Sequence, residues 1–384
     1  MQKEVVVIGA GASGLMLGAL LPKGSTLLID GNSHVGEKIR ISGGGKCNIT
    51  NAVVEPSCYL GDEAFIAPVL EAFSEQKLLK WLHQRGLHPV IRKERQYFCP
   101  NSATELVSLL KRENQKQNIL LQERVEKVEK RGRYFYVKTN RRTITASMVV
   151  VASGGLSFPK LGATAIGFEV AKAFGHTMTP TAPALVGFTV QKEQFFFKEL
   201  SGVSTDVTID VDGNLCSGSL LFAHRGISGP AVLDASLYWK KGHITIDFVP
   251  GFAWESLKKS AKKVSTLLPM PKRVTKAFLL QFGLKEKAGR EYTPQELQQL
   301  MQLSRYRFAP AGDFGYSRAE VTKGGVSTHE IDASTMQSRK VDGLYFTGEV
   351  IDVTGRLGGY NFQWAFSSAY VCATQIRHII QRGR

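Results

Sequence analysis

The run EVVVI from Glu4 to Ile8 is a short apolar block that ends at a glycine, and from about Gly11 to Leu21 apolar residues recur at helical spacing until Pro22 and Gly24 interrupt them. A second apolar block, Ser25 to Asp30, follows directly. Short unbroken apolar runs bounded by turn residues suit strands covered on both faces, so this beginning predicts a βαβ unit. Helical spacing returns near 63–86 and 102–117, and strand-like stretches follow near 119–128, 133–139 and 147–152. The alternation predicts an α/β fold with a mostly parallel sheet and an added antiparallel hairpin.

Beyond about residue 187 the period changes. VGFTVQ, TDVTIDV and HITIDFV alternate apolar and polar positions, which predicts an antiparallel, barrel-like or sandwich module. From 252 to 308 the spacing becomes helical, with breaks at Pro269, Pro271, Gly283 and Gly289. FGYSRAEVTKGGVST returns to strand character, and DGLYFTGE reads as a buried strand feeding a last helix from Tyr360 to Gln381. An α/β start and finish around a different middle implies an insertion. Residues 1–187 and 327–384 are expected to form one domain, 188–251 and 309–326 an inserted β-rich domain, and 252–308 a small basic helical domain carried by it.

A chain of 384 residues, 43% hydrophobic, exceeds the size at which one core usually stops growing, which agrees with several domains. Its five cysteines, Cys47, Cys58, Cys99, Cys216 and Cys372, form no CxxC pair, and the opening MQKEVVVIGAG lacks the apolar core of a signal peptide. A reduced, cytoplasmic protein is expected. No uninterrupted apolar run approaches a membrane span, so no membrane role is expected. The eight histidines lack metal-ligand spacing, and no metal is expected. The net charge of +16 is unevenly placed: residues 254–307 hold twelve Lys and Arg against four Glu, half of the excess. Such a segment suits either a polyanion-binding face or a solvated helical surface.

Gly9-Ala10-Gly11-Ala12-Ser13-Gly14 follows the first strand and opens the first helix, and Asp30 ends the second strand. In a dinucleotide site of this form Gly9 permits the turn, Gly11 admits a pyrophosphate, Gly14 lets helix pack on strand, and the acid accepts from ribose hydroxyls. The alternative is tight packing with no ligand. NAD and FAD share this fingerprint, and the C-terminus favours FAD. There GLYFTGEVIDVTGRLGGYNFQWA places Gly348 and Glu349 at the end of a late strand, Asp352 just beyond, and Gly358-Gly359 before a helix that starts Tyr360-Asn361-Phe362. A helix start beside a flavin ring stabilises negative charge developing on it, and a plain NAD dehydrogenase has no use for this second element. VVVASGGLSFPKLGAT, with Ser153, Gly154 and Gly155, supports the same choice, although an ordinary strand-to-loop turn would look alike. Gly31, Lys38 and Val125 complete the cofactor-binding candidates at these two ends.

The stretch ISGGGKCNITN, residues 41–51, is costly in backbone entropy unless something approaches the main chain closely. Ser42, Gly43, Gly44 and Gly45 would pass near a flavin and its phosphates, Lys46 would add charge, and Asn48 and Asn51 would hold the loop by side-chain turns. Cys47 has two readings: an acidic thiol that protonates a substrate carbon, or a small buried hydrophobe under the ring. His224-Arg225, before Gly226 and Gly229-Pro230, are candidates to orient or protonate an acceptor, or else cap a turn. No second GxGxxG follows a strand in the middle of the chain, so a nicotinamide donor, NAD(P)H, would bind only transiently.

GAGASG, ISGGGKCNITN, LLFAHRGISGPAVLDAS, AEVTKGGVST and GLYFTGEVIDVTGRLGGYNFQWAFSSA together resemble the YhiN-type or BaiN-like flavoproteins, NAD(P)/FAD-dependent oxidoreductases, nearly end to end. The resemblance implies a glutathione-reductase-type FAD domain with an inserted β-barrel-like domain that carries a small helical domain. Asp30 stands where a glutamate is more usual and Lys46 where an arginine is common, and both keep the charge. Two kinds of activity follow from the resemblance: small-molecule chemistry, such as amine oxidation with oxygen or reduction of an enone-like bond, and reduction of uridine to dihydrouridine in ribosomal RNA. For the second, the basic segment would track phosphates through Lys258, Lys259, Lys262, Lys263, Lys272, Arg273 and Lys276, with Trp254, Tyr292 and Tyr306 nearby for stacking.

Overall fold

The computed structural model describes residues 2–93 and 95–382. The chain divides into two compact units, one made of residues Met1–Pro183 and Val321–Arg384, the other of Ala184–Glu320.

The first unit is built on β1 (Gln2–Ile8), α1 (Ala12–Leu20), β2 (Thr26–Ile29), β3 (Asn118–Leu120), β4 (Val125–Arg131), β5 (Tyr134–Thr139), β6 (Thr143–Val151), β7 (Leu344–Phe346) and α2 (Tyr360–Arg382). Its strands run in the order β3-β2-β1-β6-β5-β4, and β7 also pairs with β6. Pairs among β3, β2, β1, β6 and β7 are parallel, and β6-β5-β4 form the antiparallel addition. Val5, Val6 and Val7 are wholly buried, as a central strand covered on both faces requires. The expected strand over 119–128 is two strands, because residues 121–124 leave the parallel edge before β4 begins. The expected helix over 63–86 is likewise two, Glu63–Ala72 and Glu75–His83, the second started by Ser74, whose side chain accepts from Lys77 N–H at 3.4 Å.

The second unit holds one seven-stranded antiparallel sheet, with Tyr306–Phe308 at one end, the hairpin Ser204–Val211 and Asn214–Ala223 in the middle, and Gly312–Asp313 at the other end. Leu257, Val264, Phe278 and Leu300 from the helical stretch lie in the same buried cluster as Ile209, Phe222 and Ile246 from the strands. Sheet and helices therefore share one core. The boundaries fall at 183/184 and 320/321, and the strand Val321–Val326, expected in the insertion, belongs to the first unit beside Met178–Ala184.

Candidate functional site

The three glycines of the first turn divide their roles. Gly9 has φ +108°, and a methyl group there would stand 2.5 Å from the Ala152 carbonyl oxygen; at Gly14 it would stand 2.0 Å from the Gly9 oxygen. These two glycines hold β1, α1 and the end of β6 together. A methyl group on Gly11 would meet no protein atom within 4 Å. Gly11 is also the N-cap of α1, whose first amides receive no side-chain cap. Unpartnered amides and the positive end of the helix dipole make that open space suited to an anion. Ala12 and Ser13 begin the helix, and Ser13 Oγ donates to Thr347 Oγ1 at 2.8 Å. Asp30 stands beside the turn, its Oδ2 accepting from Ala10 N–H at 2.8 Å and its Oδ1 from Asn32 N–H at 2.9 Å. Over Gly31 lies Arg124, whose Cγ would be 3.1 Å from an added methyl, and Val125 follows as the first residue of β4.

The glycine loop has a backbone that few side chains tolerate. After a helical turn from Glu37, Ser42 becomes extended (ψ 148°), and Gly43, Gly44, Gly45 and Cys47 have φ of +56°, +66°, +82° and +46°. Ser42 Oγ donates to the Ile39 carbonyl at 2.7 Å. A methyl on Gly43 would press the Phe98 ring at 3.2 Å, whereas one on Gly44 would meet nothing within 4 Å. Gly44 is thus a second patch of bare main chain, and Lys46 is exposed beside it.

The two asparagines reach far along the chain. Asn48, with its amide turned to accept from Gly359 N–H and donate to the Thr50 carbonyl, makes both bonds at 3.2 Å. Asn51 donates to the Gly358 carbonyl at 3.1 Å, and Thr50 Oγ1 donates to Gln363 Oε1 at 2.7 Å. A methyl on Gly359 would stand 2.7 Å from the Thr50 carbonyl carbon, so the start of α2 sits directly on this strand.

Cys47 lies wholly buried under the loop, hydrogen-bonded through its thiol to Cys99. Burial pushes its thiol well above the ordinary value, with the Cys99 contact adding to the effect. Of the two readings of Cys47, burial and the raised thiol favour the small hydrophobe that packs the underside of the loop.

A polar node joins the remaining elements. Lys38 Nζ pairs with Glu349 Oε2 at 2.7 Å, and Glu349 Oε1 accepts from Thr322 N–H at 2.9 Å. Thr322 Oγ1 in turn accepts from Leu156 N–H at 2.8 Å and Ser157 N–H at 3.1 Å. A methyl on Gly155 would stand 2.6 Å from Thr322 Oγ1 and 2.7 Å from Glu349 Oε1, while Gly154 keeps 4.0 Å from Glu349 Oε2. Ser153 Oγ is a buried hydroxyl without a hydrogen-bond partner. Gly348 (φ +75°) crosses close to Ser13, bringing the late strand onto α1. Asp352 is half-buried, and burial raises its carboxyl although Thr179 donates to it. Tyr360 accepts at its carbonyl from Tyr59 OH at 3.0 Å, Asn361 exchanges two bonds with the Gly355 backbone at 2.8 and 2.9 Å, and Phe362 stacks on Phe366.

In the second unit His224 and Arg225 form a two-residue exposed hairpin loop between Asn214–Ala223 and Gly226–Ser228, with the Arg225 guanidinium 5.6 Å above the Phe314 ring. Of the twelve basic residues in 254–307, Lys258, Lys276 and Lys287 pair with Glu255, Glu286 and Glu296. The stacking aromatics are corrected. Tyr292 is buried with its OH donating to the Lys285 carbonyl, Tyr306 joins the rings of Phe197, Phe248 and Phe278, and Trp254 is half-buried, donating to Ser304 Oγ. Among the described residues no three His, Cys, Asp or Glu side chains gather as metal ligands, and no helix is long and apolar enough to cross a membrane.

This arrangement has counterparts. A profile for the HI0933-like protein Rossmann domain matches residues 3–375. The chain belongs to the HI0933-like family. Within that similarity it is 38% identical over 391 residues to a ribosomal RNA dihydrouridine synthase of Escherichia coli K12, covering 97% of this chain and 98% of that protein. A protein of the same description from Haemophilus influenzae is 39% identical over 396 residues, with the same coverage. A 3-dehydro-bile acid Δ(4,6)-reductase of Clostridium scindens is 28% identical over 400 residues, covering 96% of this chain and 97% of that one. Among solved structures, a quinol-fumarate reductase with menaquinol molecules matches with a TM-score of 0.52 at 12% identity, over all of this chain and 72% of that one, a likeness of fold. The HI0933-like chain is an FAD-dependent oxidoreductase.

Proposed function

We propose that the protein reduces a uridine of ribosomal RNA to dihydrouridine, drawing hydride from NAD(P)H through FAD. The observation that carries this reading is the near full-length similarity to two ribosomal RNA dihydrouridine synthases, at 38% and 39% identity against 28% for the bile-acid reductase. The relatives' names share one chemistry. Dihydrouridine is uridine with two hydrogens added across C5=C6, a double bond conjugated to a carbonyl, and the double bonds of a Δ(4,6)-3-keto acid are conjugated in the same way. Each reduction delivers hydride to the far carbon of the conjugated system and a proton to the carbon nearer the carbonyl.

Bound FAD would supply the hydride. The residues fit it: Gly11 and the first amides of α1 offer open space and unpaired donors to the pyrophosphate, and Asp30 stands ready for the ribose hydroxyls. Gly43–Gly45, Gly154–Gly155, Glu349 and Gly358–Gly359 would line the ring end, with Lys38 fixing Glu349 and Asn48 fixing Gly359. His224 and Arg225, both exposed, would orient the acceptor. An RNA substrate of this kind would be met in the cytoplasm.

The test uses FAD-loaded protein reduced anaerobically by NADPH or NADH, then mixed separately with unmodified structured ribosomal RNA and with air. RNA-dependent return of the oxidised flavin absorbance, with two hydrogens gained by one uridine in the RNA mass spectrum, is expected. Fast reoxidation by oxygen with RNA inert would overturn the proposal in favour of a small-amine oxidase.

A further inference from the structure

The basic segment of the second unit contains a cavity of about 540 Å³ that the cofactor site does not explain. Its wall combines two cations, Lys258 and Arg290, with an apolar surface from Tyr292, Leu297 and Met301 and one amide, Gln298. Met301 is 47% exposed although it is a large apolar side chain. Backbone bonds join the two segments that line one side of the cavity. Gly289 N–H donates to the Lys262 carbonyl at 3.0 Å, Arg290 N–H to the Ser260 carbonyl at 3.0 Å, and Val264 N–H to the Lys287 carbonyl at 3.2 Å. The approach is so close that a methyl on Gly289 would stand 2.2 Å from the Leu257 carbonyl oxygen. The same ladder brings Lys259, Lys262 and Lys263, all exposed, beside Arg290, and among the described residues none of these four has a carboxylate within ion-pair distance.

We propose that this cavity receives one unpaired nucleotide of an RNA substrate, its phosphates on Arg290 and Lys258 and its base against Leu297 and Met301. The inference rests on the RNA reading above. Arg290 and the three lysines beside it, none of them ion-paired, call for a polyanion, Lys258 adds a charge that it shares with Glu255 at 2.7 Å, and the volume lies in the range of small-ligand sites. A duplex read through its backbone needs a flat basic face, whereas an apolar wall inside a basic rim suits a base freed from its stack.

The experiment measures binding of a single-stranded oligoribonucleotide carrying 4-thiouridine to the FAD-loaded protein across a salt series, followed by photo-crosslinking. Cross-links within 290–301 are expected in the wild type. K258A/R290A should bind about 10–100-fold more weakly and lower the slope of log affinity against log salt by about 1.4, since each single-strand phosphate contact contributes about 0.7. M301E, which puts a carboxylate at the mouth, should weaken binding similarly. K127A/K138A, the same charge loss on the β4–β5 hairpin, should leave affinity within about threefold, and unfolding midpoints check that each variant is folded. Wild-type affinity and salt slope in K258A/R290A would overturn the cavity while leaving RNA reduction standing. A wild type that binds no RNA at low salt and is not reoxidised by it would overturn both.

Discussion

Gly11→Ala tests whether the open space at the first turn is kept for a cofactor rather than for the fold. Gly11 sits at φ −84°, ψ −162°, backbone that any residue adopts, and a methyl there meets no protein atom within 4 Å. The apoprotein should therefore be unharmed, or gain about 0.4–1 kcal/mol from a less flexible unfolded chain. A pyrophosphate drawn to the α1 amides would meet that methyl directly. With FAD at about 100 times its Kd, binding stabilises the native state by about 2.7 kcal/mol, and a 100-fold loss of affinity leaves only about 0.4. At about 2–4 °C per kcal/mol for a unit of this size, the holo Tm should fall by about 5–9 °C while the apo Tm does not fall. Gly14→Ala is the counterpart: its methyl would stand 2.0 Å from the Gly9 oxygen, and the overpacking should cost the apoprotein about 1–3 kcal/mol or more. Fluorescence titration with FAD and thermal melts with and without it measure both. FAD affinity within threefold of wild type in Gly11→Ala would refute the reasoning, and so would a lowered apo Tm.

Other tests follow from the same geometry. Lys38→Met leaves Glu349 without its cation and should weaken FAD binding about tenfold, by roughly the 1–3 kcal/mol of a lost charged partner, read by titration against the wild type. Cys47→Ser should leave the rate of flavin reoxidation within about twofold, and native Cys47 should resist iodoacetamide until the chain is unfolded, since burial raises its thiol. Acid should destabilise the first unit in two steps. Burial alone would raise Glu330, but bonds from Lys340 and Thr177 hold it at about 2, so its contribution is whole above about 4.5 and is lost as pH falls towards 2. Burial holds His176 below 6.5 despite Glu330 beside it, so the unfolded chain takes up that proton first and stability also declines as pH drops below 6.5. Glu330→Gln should flatten the lower limb of Tm against pH, and an unchanged limb would show that this cluster does not set acid stability.

The parts of the site that were legible in the sequence are those governed by main-chain sterics. Gly9, Gly14 and Gly155 are glycine because backbone or a polar node occupies the place of a side chain, and that constraint is written locally. The pairings of Asn48 with Gly359, Asn51 with Gly358 and Thr50 with Gln363 were not legible, because they join stretches some 310 residues apart and each asparagine reads equally well as a local turn. Cys47 kept two readings for a related reason. Its neighbours Gly45 and Lys46 suggest an open loop, but the strand Asn48–Asn51 pairs with Gln96–Phe98 and draws the thiol inward beside Cys99. In the basic segment composition revealed the charge but not the direction of Tyr292 and Tyr306, which the shared core claims. That same core binds the helical stretch, expected from its spacing to be a domain of its own, into a single second unit.

The order of synthesis gives the split first unit a further meaning. β6 emerges long before β7, its parallel partner at residues 344–346, and the strand 48–51 waits longer still for Gly358 and Gly359. At about 5–20 residues per second, the roughly 190 residues between those strands take about 10–40 s to be made. During that interval the nascent chain presents an unpaired apolar stretch of β6, while the glycine loop leans on Phe98, Cys99 and Ala103 and lacks only the start of α2. Were FAD held by Glu349 and Gly358–Gly359 as proposed, its capture would be a late event for this chain, possible only after those residues are made.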